Sequence, residues 1–86
     1  MEPINLLLVG CGMMGARHAR GLGELQRVWP GHVRLVAVCD RRPDLAEKVA
    51  VEAEELLGAR PAVYGDAAQA LREQPDLQAA DVVTDP

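Results

Sequence analysis

Apolar positions fall along the chain in two alternating rhythms. Ile4-Asn5-Leu6-Leu7-Leu8-Val9 is a short apolar run with one interruption, and it stops at Gly10. Such brevity and a glycine stop predict a buried parallel strand rather than a helix. From Met13 the spacing changes to three and four residues, through Met14, His18 or Ala19, Leu22, Leu25 or Gln26, and Trp29. That is the stripe of an amphipathic helix, closed by Pro30-Gly31. Val33–Cys39, rich in valine, predicts the second strand, ending at Asp40. Pro43 suits the first turn of a second helix, whose stripe is Leu45/Ala46, Val49/Ala50, Ala53 and Leu56/Leu57, with Gly58 placed as its C-cap. Pro61–Tyr64 predicts a short third strand. Asp66 followed by Gln69 resembles a capping box, so a short helix is expected over Ala67 to about Glu73, stopped before Pro75. Asp81-Val82-Val83-Thr84 reads as the start of a fourth strand.

Strands that alternate with helices imply right-handed crossovers and a parallel sheet, hence an α/β fold. A doubly wound dinucleotide-binding fold has about six strands in two halves. The pattern supplies the first half and one further strand. The expectation is one domain, residues 1–86, that is the N-terminal part of a Rossmann-type domain truncated after the fourth strand, without a substrate domain. A sheet ending there would expose an edge and apolar faces.

Charge and composition narrow the function. The chain has 86 residues and a net charge of −4, with charges of both signs interspersed. This argues against a nucleic-acid partner, which needs a basic face. The apolar run Ile4–Val9 is too short for a signal peptide or membrane span and has no basic flank, so a cytoplasmic location is expected. Cys11 and Cys39 make neither a disulfide framework nor a zinc site, and are expected as small buried thiols near strand ends. No metal site is expected.

The chemistry-bearing motif is Gly10-Cys11-Gly12-Met13-Met14-Gly15, which fits G-x-G-x-x-G. Alone the pattern is weak; here it follows a predicted strand, opens a predicted helix, and is answered by an acidic residue at the end of the next strand. Gly10 permits the sharp turn, Gly12 lets a pyrophosphate approach the backbone, and Gly15 allows the helix to pack closely on the strand. The amides and dipole of the helix N-terminus face the phosphates. Asp40 lies 25 positions after Gly15, against the usual spacing of about 20, the excess falling in Arg27–His32. A carboxylate there accepts from ribose hydroxyls and repels a 2′-phosphate, favouring NAD; Arg41 and Arg42 pull the other way, so NADP stays possible.

These stretches resemble a known family. Leu8–Ala19, Leu35–Arg41, Tyr64 with Asp66, and Val82–Pro86 are similar, in order, to the N-terminal domain of the glucose–fructose oxidoreductase / inositol dehydrogenase / rhizopine-catabolism (Gfo/Idh/MocA) oxidoreductases. The resemblance implies that Gly10, Gly12, Met13, Met14 and Gly15 line a pyrophosphate site. It implies that Asp40 and Arg41 meet the adenosine ribose, and that Thr84 and Pro86 border the cofactor near the end of the fourth strand. Asp85 departs from the small residue followed by Thr-Pro that the family usually shows there. It further implies a parent oxidoreductase that acts on a CH–OH group, often of a sugar or cyclitol, and that is usually a homo-oligomer. The family's catalytic lysine and Asp/His pair have no counterpart here. Lys48 falls on the solvent face of the second helix, His18 is expected to pack or hydrogen-bond on the first, and His32 falls in a loop. No catalytic residue is expected in the chain. Two other functions fit the same residues: a non-catalytic NAD(P)-binding or redox-sensing module, and a related fold that binds S-adenosylmethionine.

Overall fold

A computed structural model describes residues 3–83. The elements run β1 (Ile4–Val9), α1 (Met13–Val28), β2 (Val33–Cys39), α2 (Pro43–Leu57), β3 (Ala62–Tyr64), α3 (Ala67–Glu73) and β4 (Ala79–Val82). The four strands form one parallel sheet in the order β3-β2-β1-β4. The strand order therefore reverses between β1 and β4, the switch point at which open α/β sheets bind ligands beyond the carboxyl ends of their strands.

Each face of the sheet has its own core. Leu8, Leu35 and Val38 face one side, where Ala19 of α1 and Ala46, Val49, Ala50 and Ala53 of α2 cover them. Leu7, Ala37 and Cys39 face the other, with Tyr64 and Ala70 of α3. Leu35 and Val38 share a face although three positions separate them. The reason is a register shift: Leu6 pairs with Leu35 but Leu7 with Ala37, so Val36 has no partner on β1. A bulge of this kind exchanges the faces of all residues beyond it.

Local rules account for the helix ends. Pro43 stands in the first turn of α2, and Gly58 caps its end in the left-handed region at φ 83°. Asp66 caps α3 by accepting Gln69 N–H at 2.7 Å. The reciprocal half of the capping box is not formed, because the Gln69 side chain donates to Glu73 instead, at 2.8 Å.

Three expectations need correction. The buried stripe of α1 is Gly15, Ala19 and Gly23, while Met14 and Trp29 are exposed. The helix lies so close to its neighbours that small residues make the contact; a methyl group on Gly23 would stand 3.1 Å from Leu56 Cβ. The third strand begins at Ala62, one residue later than Pro61. The fourth strand begins at Ala79, two residues before Asp81. Asn5 and Gln78 start its pairing: Gln78 N–H donates to Asn5 O, and Asn5 N–H donates to Gln78 Oε1, both at 2.9 Å. Alanines carry little strand propensity, so β4's onset is set by this pairing rather than by local preference.

Among the described residues no helix is long and apolar enough to cross a membrane. No group of three His, Cys, Asp or Glu side chains could hold a metal ion there.

Candidate functional site

β1 leaves the sheet through Gly10, whose φ of 101° is a conformation that a side chain rarely permits. The loop then enters α1 at Gly12, an extended N-cap without a side-chain cap, and no acidic residue occupies the first turn. The first amides of α1 are thus left without a side-chain acceptor, and they concentrate the positive end of a 16-residue helix dipole. Two glycines divide the remaining work. A Cβ on Gly15 would lie 1.9 Å from the carbonyl oxygen of Gly10, so α1 sits directly against the end of β1. A Cβ on Gly12 would meet nothing within 4 Å. Gly15 is needed by the fold; Gly12 leaves a space that the protein itself does not fill.

Asp40 ends β2 beside this loop. Its Oδ2 accepts Cys11 N–H at 2.7 Å, and its Oδ1 accepts Arg42 N–H at 2.8 Å. The carboxylate therefore fastens the glycine loop to the turn that starts α2. Each oxygen keeps a further lone pair that can accept another hydrogen bond. Gly10 N–H donates to Cys39 O at 2.8 Å, which joins the same two strand ends through the backbone.

These pieces surround one groove of about 800 Å³ at the carboxyl end of the sheet. Gly10, Gly12, Met13, Met14, Asp40 and Arg41 all line it. Met13 and Met14 are 75 % and 50 % exposed and offer the groove a loose apolar rim. Gly15 is buried and does not line the groove; it acts from behind through close packing. Thr84 and Pro86 lie outside the described residues, although Val83 reaches the groove from the end of β4. Arg42, read from sequence as a partner for a 2′-phosphate, also lines it, as do Leu45 and the Gly65-Asp66-Ala67 turn, which the motif does not mark as cofactor contacts. Their common signal is position: each directly follows a strand or opens a helix on the carboxyl side. A second hollow of about 550 Å³ lies at the opposite end of the sheet, around Asn5, Arg34 and Gln78, where no glycine loop reaches.

Both thiols are buried. Burial, reinforced by the Asp40 carboxylate, raises the Cys11 pKa from 9.0 to about 11, and burial also pushes Cys39 up. Neither is a nucleophile at neutral pH. His18 Nδ1 lies 2.5 Å from Asp81 Oδ2, joining α1 to β4. Lys48 is exposed on α2, and so is His32 in its loop.

The groove fits a dinucleotide. A space beside a bare glycine, a helix N-terminus with uncapped amides and a carboxylate at the next strand end are what a pyrophosphate and an adenosine ribose require. Among curated proteins, no sequence matches the chain. Among solved structures, GenD2 from gentamicin A biosynthesis, in complex with NAD, is 28 % identical with a TM-score of 0.71; the match covers 98 % of this chain and 21 % of that one. An NAD-binding oxidoreductase from Klebsiella pneumoniae is 29 % identical with a TM-score of 0.64, covering 96 % and 21 %. Levoglucosan dehydrogenase, in complex with NADH and L-sorbose, shares the fold at 23 % identity and a TM-score of 0.66, covering 98 % and 22 %. The chain thus spans about a fifth of the length of the structures it matches. The sequence model of the Gfo/Idh/MocA oxidoreductases, with their NAD-binding Rossmann fold, matches residues 4–86, and the chain belongs to that family.

Proposed function

We propose that the groove at the carboxyl end of β1 and β2 binds NAD, and that the chain is the cofactor-holding part of an oxidoreductase acting on a CH–OH group of a sugar or cyclitol. One observation carries this reading: Gly12 leaves open space at the uncapped start of α1, with the Asp40 carboxylate in the same groove. NAD supplies the hydride-accepting nicotinamide when bound. The residues of this chain bind and orient. The first-turn amides of α1 hold the pyrophosphate, Met13 and Met14 cover it, Asp40 accepts the ribose hydroxyls, and Arg41 borders the adenosine. By family resemblance, Thr84 and Pro86 border the cofactor near the end of the fourth strand.

In this reading residues 1–86 are the N-terminal part of the NAD(P)-binding domain, and the groups that move the substrate proton lie outside them. The sugar or cyclitol substrate is supported by the family and by the fold shared with levoglucosan dehydrogenase. A cytoplasmic homo-oligomer, with no nucleic-acid or membrane partner, completes the proposal. Calorimetric titration with NAD and, separately, NADP tests it. Saturable NAD binding tighter than NADP binding is expected. Tighter NADP binding would mean that Arg41 and Arg42 outweigh Asp40, and no binding of either would remove the cofactor role.

A further inference from the structure

Asp40 is not the only carboxylate that bears on the adenosine end of the groove. Arg42 lines that groove, and its backbone N–H is bonded to Asp40, so it stands one residue-width from the proposed ribose site. A guanidinium in that place is the group suited to a ribose 2′-phosphate, through paired N–H donors. Its side chain is directed elsewhere: Arg42 Nη2 donates to Asp44 Oδ2 at 2.9 Å, in the first turn of α2. Asp44 does not line the groove. We propose that Asp44 is a specificity-determining residue of the cofactor site, holding Arg42 away from a 2′-phosphate and so favouring NAD over NADP.

The inference rests on the reading of the groove as an NAD site and adds a residue to it. Two effects act together. The ion pair engages Arg42 Nη2, one of the donors that a 2′-phosphate would use, and directs the guanidinium towards α2, while Asp44 adds a second negative charge near Asp40. The hydrogen bond from Arg42 holds the Asp44 carboxyl below the ordinary carboxylate range, so the pair is fully charged at neutral pH. Both side chains are largely exposed, at 68 % and 63 %. An exposed pair of this kind holds its partner weakly, so the contribution to selectivity is about twofold to fivefold.

The test is a titration of the full chain and its variants with NAD and NADP in parallel. Asp44→Asn is expected to tighten NADP binding about twofold to fivefold while NAD affinity is unchanged. Asp44→Glu keeps the carboxylate and is expected to retain the original preference. Adding Arg42→Gln to Asp44→Asn is expected to abolish the gain. Unchanged NADP affinity in Asp44→Asn, with NAD binding intact, overturns the inference. So does a gain that survives the loss of Arg42, and so does equal weakening of both cofactors, which would give Asp44 a role at the helix start alone. Failure of the unmodified chain to bind NAD is a different result, since it removes the cofactor reading itself.

Discussion

The Asp40 carboxylate accepts the backbone N–H of Cys11 at 2.7 Å, across 29 positions of sequence. A residue read from sequence as a ribose ligand is thus also the brace of the glycine loop. Cys11 is 2 % exposed, so its amide has no ready access to water once the carboxylate is gone. Asp40→Ala should therefore cost about 1–3 kcal/mol in stability, the penalty for a buried donor left unpaired. It should weaken NAD binding by more than its stability loss explains. Urea unfolding together with NAD titration checks both; unchanged stability would show that the loop holds itself.

Gly15 separates fold from function in the opposite direction. Its Cβ would enter the Gly10 carbonyl oxygen at 1.9 Å, and backbone cannot move aside as a side chain can. Gly15→Ala should destabilise the chain by about 3 kcal/mol. Gly21→Ala is the control: it lies in the same helix, and a Cβ there meets nothing within 4 Å. It should be neutral or stabilising by about 0.5–1 kcal/mol. Thermal melts of the two variants should fall on opposite sides of the unmodified chain.

The buried thiols predict alkaline lability. The Cys11 pKa rises from 9.0 to about 11 on folding, and that of Cys39 also rises. The unfolded chain then releases these protons at a lower pH than the folded one. The stabilising contribution is complete below pH 9 and is lost as pH rises towards 11. Unfolding midpoints should fall across that window, and Cys11→Ala should flatten the fall. Thiol-specific alkylation of the folded chain at pH 7 should be slow for both cysteines.

Much of this architecture was legible in the sequence because its signals are local. Gly10 and Gly58 occupy the turns that their freedom from a side chain suits, Pro43 opens α2, and Asp66 caps α3. What escaped depends on distant partners. Of the expected α1 stripe, Ala19 and Leu22 do pack on the core, but Met14 and Trp29 are exposed and Gly15 and Gly23 are buried in their stead, since apolar periodicity reports hydrophobicity and not the distance between helices. The onset of β4 is fixed by Asn5 and Gln78, 73 positions apart. The bulge at Val36 leaves no mark in a run of valines. At the site, the glycine loop and Asp40 stood out by motif and spacing. The engagement of Arg42 by Asp44, and of Cys11 by Asp40, arises from the folded loop geometry, which no motif spacing encodes.

Gly12 offers the most direct measurement. A methyl group there meets nothing within 4 Å, so the protein can accept it, at about 1 kcal/mol for a poorer N-cap. If that open space is where the pyrophosphate approaches, the same methyl group should weaken NAD binding about tenfold to a hundredfold. NAD titration of Gly12→Ala, with a thermal melt of the same sample, reads both. A near-normal melt with NAD binding lost is the predicted result. A near-normal melt with NAD affinity unchanged would contradict the account, because the cofactor would then be bound somewhere other than the start of α1.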